Sequence, residues 1–131
     1  MSYDIGLYDR EFLKRAVEAN LGDWTGADGI SEEAVQLLIT AAVAKGFKAV
    51  SLDEQFVAFL REQGAVPHRE FELDTPSLLA QLTIHTGEIG FSIPFGPRAA
   101  ESIDICSRIA RNVASESGLG IYDAQVGAAE Y

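Results

Sequence analysis

Residues 80–95 read AQLTIHTGEIGFSIPF, two runs in which apolar and polar residues alternate. This period of two is typical of a strand with one buried face and one polar face. A short turn at Thr86-Gly87 separates the two runs, which is the pattern of a β-hairpin. Pro94 has no amide hydrogen to donate, so we expect it at a strand end or a sheet edge. The second half of the chain is therefore predicted to contain an antiparallel pair of strands.

Three more segments alternate in the same way and predict further strands. They cover residues 3–8, 69–73 and 119–123. The charged residues of 69–73 favour an edge position for that strand. The small and polar residues after Gln125 predict a frayed tail. The sequence thus predicts about five strands.

Four segments have apolar residues at helical spacing. The first three begin at the capping residues Asp9, Ser31 and Ser51, and the fourth begins at Gly96-Pro97. Each has one apolar stripe, so we expect the helices to cover one face of the sheet. The predicted fold is a single α+β domain of order β-ααα-β-β-β-α-β, with one antiparallel-rich, mixed sheet. If the second hairpin strand and the last strand run parallel, the fourth helix is the right-handed crossover between them.

The composition restricts the partners that the protein can bind. Its 131 residues include 20 Asp and Glu against 10 Lys and Arg, for a net charge of −10. This charge repels nucleic acids and anionic membrane surfaces, and it would suit a basic partner. The apolar stretch 34–44 is too short to cross a bilayer. We therefore expect no nucleic-acid binding and no membrane binding.

Cysteine usage and the first residues favour a cytoplasmic protein. Cys106 is the single cysteine, which excludes an intrachain disulfide and fits a reducing compartment. It falls in the apolar stripe of the fourth helix, so we expect a buried thiol rather than a nucleophile. Residues 1–4 lack a basic region followed by an apolar one, and we expect no secretory signal.

Motifs for metal, phosphate and nucleophilic chemistry are absent from the sequence. His68 and His85 stand 17 residues apart, with no Cys or Glu at ligand spacing. The glycine-rich connector 22–29 carries Asp23 and Asp28 but no lysine, which does not suit a phosphate cradle. We expect neither a metal nor a cofactor.

The polar positions of the predicted strands contain glycines. Gly6, Gly90 and Gly120 fall on three different strands and face away from the apolar residues. Glycine within a strand weakens it and leaves the backbone open to close approach. Either a neighbouring ring, such as that of Tyr8 or Tyr122, covers each glycine, or a partner's loop settles on this face. The other side chains expected there are Asp4, Gln81, Thr83, His85 and Ser92.

Two residues have alternative interpretations. His85 lies on the polar side of the hairpin and could act in acid–base catalysis if Asp4 or Asp123 oriented it. Otherwise it is a surface histidine. Trp24, within the connector, is either a core anchor or an exposed residue that contacts a partner.

The two ends of the chain resemble a known group of proteins. The chain opens with Met-Ser-Tyr-Asp-Ile, and its last amphipathic helix is followed by Gly118-Leu119-Gly120-Ile121-Tyr122-Asp123-Ala124-Gln125. With the segment 89–95, these motifs resemble small, acidic, uncharacterised bacterial cytosolic proteins, several of which look like immunity proteins of toxin–immunity systems. That group often has Tyr-Asp-Pro-Gln after a Gly-Leu pair, whereas Ala124 replaces the proline here.

The resemblance implies a non-enzymatic protein that neutralises a partner, such as a basic toxin domain, by occluding its active site. The residues expected to bind the partner are Asp4, Tyr8, Trp24, His85, Tyr122 and Asp123. The alternative is a small ligand-binding or enzymatic domain that uses the polar face of the sheet, where His85, Tyr122 and Asp123 would act as acid–base groups. A homodimer is a third alternative. An enzyme needs a concave, partly apolar pocket with convergent polar groups, whereas an immunity protein can be nearly flat at this face.

Overall fold

The computed structural model describes residues 2–20, 30–75, 78–85 and 87–131. Within these ranges the chain forms seven strands and four helices. The strands are β1 (Ser2–Asp9), β2 (Lys48–Val50), β3 (Arg69–Asp74), β4 (Leu79–Ile84), β5 (Ile89–Pro94), β6 (Leu119–Asp123) and β7 (Ala128–Glu130). The helices are α1 (Arg10–Glu18), α2 (Glu32–Ala44), α3 (Glu54–Glu62) and α4 (Ala99–Ser117). The predicted α+β class is confirmed.

The helix termini follow from local side-chain chemistry. Asp9 accepts a hydrogen bond from the amide of Phe12, and Ser31 accepts one from the amide of Ala34, each at 3.1 Å. These bonds satisfy amides that have no partner within the helix. The third helix is capped by Asp53, two residues after the predicted Ser51, because the Asp53 carboxylate accepts from two helix amides.

All seven strands form one sheet in the order β2-β3-β4-β5-β1-β6-β7, and every pair is antiparallel. The predicted hairpin is β4–β5, with Ile84 opposite Ile89. Both β5 and β6 run antiparallel to β1 and are therefore parallel to each other. The helix α4 therefore connects two parallel strands, as the predicted crossover requires, and β1 lies between those strands in the sheet. The expectation of a mixed sheet was wrong in that all neighbouring strands are antiparallel.

The predictions for the sheet edges were wrong. The described edges are β2 and β7, which have three residues each and are too short to show an alternating pattern. Because β2 pairs with β3, the charged strand is internal. The tail beyond Gln125 is paired rather than frayed, since β7 pairs with β6 and Glu130 forms an ion pair with Arg111 of α4.

The core lies between the sheet and α2 and α4. Ile5 and Leu7 of β1 point into it, and Cys106 of α4 is fully buried there, as predicted. Burial raises the pKa of the Cys106 thiol to about 12. None of the described helices is long and apolar enough to cross a membrane.

The prediction that all helices cover one face was wrong. Phe12 and Leu13 of α1 pack with Tyr8, whose side chain lies on the opposite face from Leu7. An apolar stripe shows that a helix has a buried side, but it does not show which face of the sheet that side covers. Gly120 permits this packing, because a Cβ there would lie 2.7 Å from Cδ2 of Leu13.

Candidate functional site

The polar face is the side of the sheet that carries Gly6, Gly90 and Gly120, opposite α2 and α4. Its central row crosses four strands, because Thr83 pairs with Gly90, Gly90 with Gly6, and Gly6 with Tyr122. The alternation predicted these residues to share a face, and the register places them side by side.

Rows of polar side chains lie on both sides of the two central glycines. On one side, Gln81 pairs with Ser92 and Ser92 with Asp4. On the other side, the amide of His85 donates to the carbonyl of Glu88 at 2.9 Å, and Tyr8 pairs with Gly120. The glycines therefore form the floor of a depression with polar walls.

This depression is the polar-face cavity, with a volume of about 380 Å³. It lies beside α1, which covers the β6 side of the face through Leu13 above Gly120. Its lining residues are Asp4, Ile5, Gly6, Tyr8, Thr83, His85, Glu88, Gly90, Phe91, Ser92, Tyr122 and Ala124. Four of the six side chains predicted to bind a partner lie here, namely Asp4, Tyr8, His85 and Tyr122.

The three glycines differ in what lies above them. A Cβ on Gly6 would lie 2.8 Å from Cε2 of Tyr8, and a Cβ on Gly120 would meet Leu13. These two glycines make room for side chains of the same chain. A Cβ on Gly90 would meet no atom of the described residues within 4 Å. Internal packing thus explains Gly6 and Gly120, whereas it leaves Gly90 unexplained.

Tyr8 forms one wall and is held as a neutral phenol. Burial raises the pKa of Tyr8 well above its usual value, and the negative charge of Glu88 and a hydrogen bond to that carboxylate raise the pKa further. The Tyr8 ring packs against the ring of Phe12, with the centroids 5.9 Å apart. Glu88 is exposed at the rim and keeps one side of the cavity negative.

The described residues of the lining include two carboxylates, Asp4 and Glu88, and no lysine or arginine. Asp4 is half-buried, and the Ser2 hydroxyl donates to it at 2.9 Å. Gln125 positions the same segment, since the Asp4 amide donates to Oε1 of Gln125 at 2.8 Å. The cavity therefore attracts a cation and repels an anion.

The ring beside His85 belongs to another histidine, His68, with the centroids 5.0 Å apart. Nε2 of His68 lies 2.9 Å from Oε1 of Glu70, and its ring contacts Phe56 of α3. Among the described residues, no hydrogen bond joins His85 to an aspartate. The orientation that acid–base catalysis by His85 would need is therefore not present in the described residues.

Asp123 lies on the other side of the sheet. It shares a face with Leu119 and Ile121, which point into the core, and it accepts a hydrogen bond from the hydroxyl of Tyr3. This hydrogen bond is the main reason that the pKa of Tyr3 is raised. The structure does not bring Asp123 together with His85 and Tyr122. Trp24 lies outside the described residues.

The sequence reasoning missed Glu88 and His68. A signal existed for Glu88, because the predicted hairpin places it directly opposite His85 when its register is extended by one pair. His68 lies beside His85 through the register of β3 and β4, which only the structure supplies. Within the described ranges, no group of three or more His, Cys, Asp or Glu side chains could hold a metal ion.

Comparisons with protein-family models, with curated proteins and with solved structures found no match to this chain. The resemblance of the chain ends to immunity-type proteins thus stays a prediction.

Proposed function

We propose that the protein is a non-enzymatic binding protein of the immunity type. In this proposal a positively charged segment of a partner protein enters the polar-face cavity, and the bound protein then occludes the partner's active site. The observation that carries the proposal is the uncovered backbone of Gly90 at the floor of an acidic, tyrosine-lined depression. We place the interaction in the cytoplasm, as the single buried cysteine suggests.

The chemistry of the walls favours a lysine or arginine side chain as the group bound. Carboxylates such as Glu88 and Asp4 make charge-assisted hydrogen bonds to ammonium and guanidinium groups. The half-buried ring of Tyr122 also lines the cavity, and an aromatic ring face attracts cations. Guanidinium suits the site best, because it can bind a carboxylate in bidentate fashion and stack on a ring at the same time.

The charge of the whole protein supports a basic partner. A net charge of −10 would speed the encounter with a protein whose active site is a basic groove, since opposite fields steer association. A nuclease-type toxin has such a groove for its substrate. In this proposal the acidic face competes with that substrate.

A small cationic molecule is the second candidate ligand. The cavity volume of about 380 Å³ falls in the range of small-molecule sites, which is about 300–1,000 Å³. Catalysis on such a ligand has less support, because Asp123 is remote from His85. A protein segment would contact the surface around the cavity as well as its interior, whereas a small molecule would contact the interior alone.

The first experiment is an NMR titration of the ¹⁵N-labelled protein with acetyl-arginine amide. Its matched control is acetyl-citrulline amide, which has nearly the same shape but no charge. We expect the arginine compound to shift the amides of Thr83, Gly90 and Ser92 and the citrulline compound to leave them unchanged. Equal responses, or shifts confined to other surfaces, would contradict the proposal.

Matched variants test the carboxylate. Glu88→Gln keeps an acceptor for Tyr8 but removes the charge, and we expect it to weaken arginine binding at least fivefold. Glu72→Gln removes the same charge from the same face outside the cavity, so binding should be unchanged. An arginine-rich hexapeptide that binds at least tenfold more tightly than the single amide would favour a protein segment. Equal affinities would favour the small molecule.

A further inference from the structure

Helix α2 is more apolar than its burial requires. Nine of its eleven residues from 34 to 44 are apolar, and no charge occurs between Glu33 and Lys45. One side packs into the core, but Leu37 is 43% exposed and Val43 is 53% exposed. These two side chains lie beside the exposed polar residues Gln36 and Thr40, and contiguous exposed apolar surface commonly marks an interaction site. The outer surface of α2 therefore has the composition of an interface.

Part of this surface forms the α2–α4 groove, a depression of about 770 Å³ between α2 and α4. Its apolar floor consists of Leu37, Ala41 and Ala44 from α2 and Val113 from α4. The alanines are small, so another backbone can approach closely. Along α2 the lining extends from Glu32 to Ala44, which at about 1.5 Å per residue is roughly 18 Å, or just over three helical turns.

The rim of the groove is acidic. Glu33 and Glu116 line it and form no ion pair within the described residues, while Glu32 pairs with Arg69. No lysine or arginine occurs among the described residues that line the groove. Two arginines of α4 form ion pairs with residues outside the groove, since Arg108 pairs with Asp104 and Arg111 with Glu130.

We propose that the α2–α4 groove binds a basic amphipathic helix of a partner protein. The apolar stripe of that helix lies on Leu37, Ala41 and Val113, and its lysines or arginines face Glu33 and Glu116. Two observations carry this choice of occupant. The length of the groove matches three turns of helix, and its unpaired rim charges all have one sign. The inference does not rest on the polar face, which lies on the other side of the sheet.

The probe is a fluorescein-labelled 14-residue peptide of leucine and lysine with leucines at i, i+3, i+4 and i+7. Fluorescence anisotropy measures its binding to the intact protein. One control peptide has the same composition in alternating order, and it forms no apolar helical stripe. A second has glutamate in place of lysine. We expect the helical basic peptide to bind at least tenfold more tightly than either control.

Two variants of α2 with the same change in charge test the location. Leu37→Lys places a cation in the groove and should weaken binding at least tenfold. Val43→Lys makes the same change at a similarly exposed position outside the groove and should leave binding within twofold. Melting temperatures establish that both variants are folded, and Glu88→Gln should bind the peptide normally.

Several results would overturn the proposal. If the acidic peptide binds as tightly as the basic one, the acidic rim does not select the partner. If Leu37→Lys and Val43→Lys weaken binding to the same extent, the groove is not the binding site. A dimer in light scattering that Leu37→Lys dissociates would assign the groove to a second copy of the chain. If the peptide binds only after residues 21–29 are replaced by glycine and serine, the occupant of the groove is a segment of this chain and not a partner protein.

Discussion

Replacing Gly90 with alanine separates the two explanations for glycine on the polar face. A Cβ at this position meets no atom within 4 Å in the part of the chain that the structure describes, and the backbone of Gly90 is ordinary strand. Alanine restricts the unfolded chain more than glycine does, so the substitution should stabilise the protein by roughly 0.5–1 kcal/mol. For a chain of this length that corresponds to a rise in melting temperature of about 2–4 °C.

The same methyl group should impair binding. It occupies the floor of the polar-face cavity, where the proposed cation and its stem would lie, and we expect about a tenfold loss of affinity, or about 1.4 kcal/mol. Stability is measured by urea denaturation followed by circular dichroism, and affinity by the NMR titration with acetyl-arginine amide. Opposite signs of the two effects are the signature of a glycine retained for binding.

Gly6→Ala is the matched control. Its Cβ would lie 2.8 Å from the Tyr8 ring, so this variant should lose roughly 1–3 kcal/mol of stability by overpacking. A Gly90→Ala protein that is destabilised to the same extent would show that Gly90 is structural. If Gly90→Ala is stable and binds acetyl-arginine amide normally, the reasoning about the open floor is refuted.

Three further predictions concern stability and pH. Cys106→Ser should cost roughly 1–3 kcal/mol, because it buries a hydroxyl without a partner, and it should leave arginine binding unchanged; a stable variant that fails to bind would contradict the core assignment. The pKa of Tyr8 is raised above its unfolded value of 10.0, so its contribution to stability is complete below pH 10 and is lost as the pH rises beyond it. The urea midpoint should therefore fall less between pH 9 and 11.5 in Tyr8→Phe than in the parent protein. If the midpoints of both proteins fall equally with pH, ionisation of Tyr8 does not cause the loss of stability. Asp53→Ala removes the cap of α3, a helix with no buried residue, so hydrogen exchange should quicken within α3 while the global free energy of unfolding stays within about 0.5 kcal/mol.

The local pattern predicted the hairpin and the composition of the polar face. Alternation assigned Gly6 and Gly90 to one side of their strands, because neighbouring side chains in a strand point to opposite faces. The same parity also grouped Asp123 with Leu119 and Ile121, on the apolar side. Including Asp123 among the residues of the polar face therefore disregarded the pattern that predicted the others.

The sheet edges and the position of α1 were not predictable in this way. A strand of three residues, such as β2 or β7, contains too little alternation to be distinguished from a loop. The apolar stripe of α1 is equally compatible with either face of the sheet. Only the packing of Leu13 over Gly120 shows which face it covers.

The sequence by itself determined the α+β class, the hairpin, the buried thiol of Cys106 and the acidic character of the protein. These properties depend on residues that are near one another in the chain or on composition alone. The tertiary structure decided that Gly6 and Gly90 are neighbours, that Tyr8 covers the first and leaves the second open, and that α2 and α4 form an apolar groove with an acidic rim. Each of these depends on the order and register of strands or helices distant in sequence, which are set by long-range packing that no local period encodes.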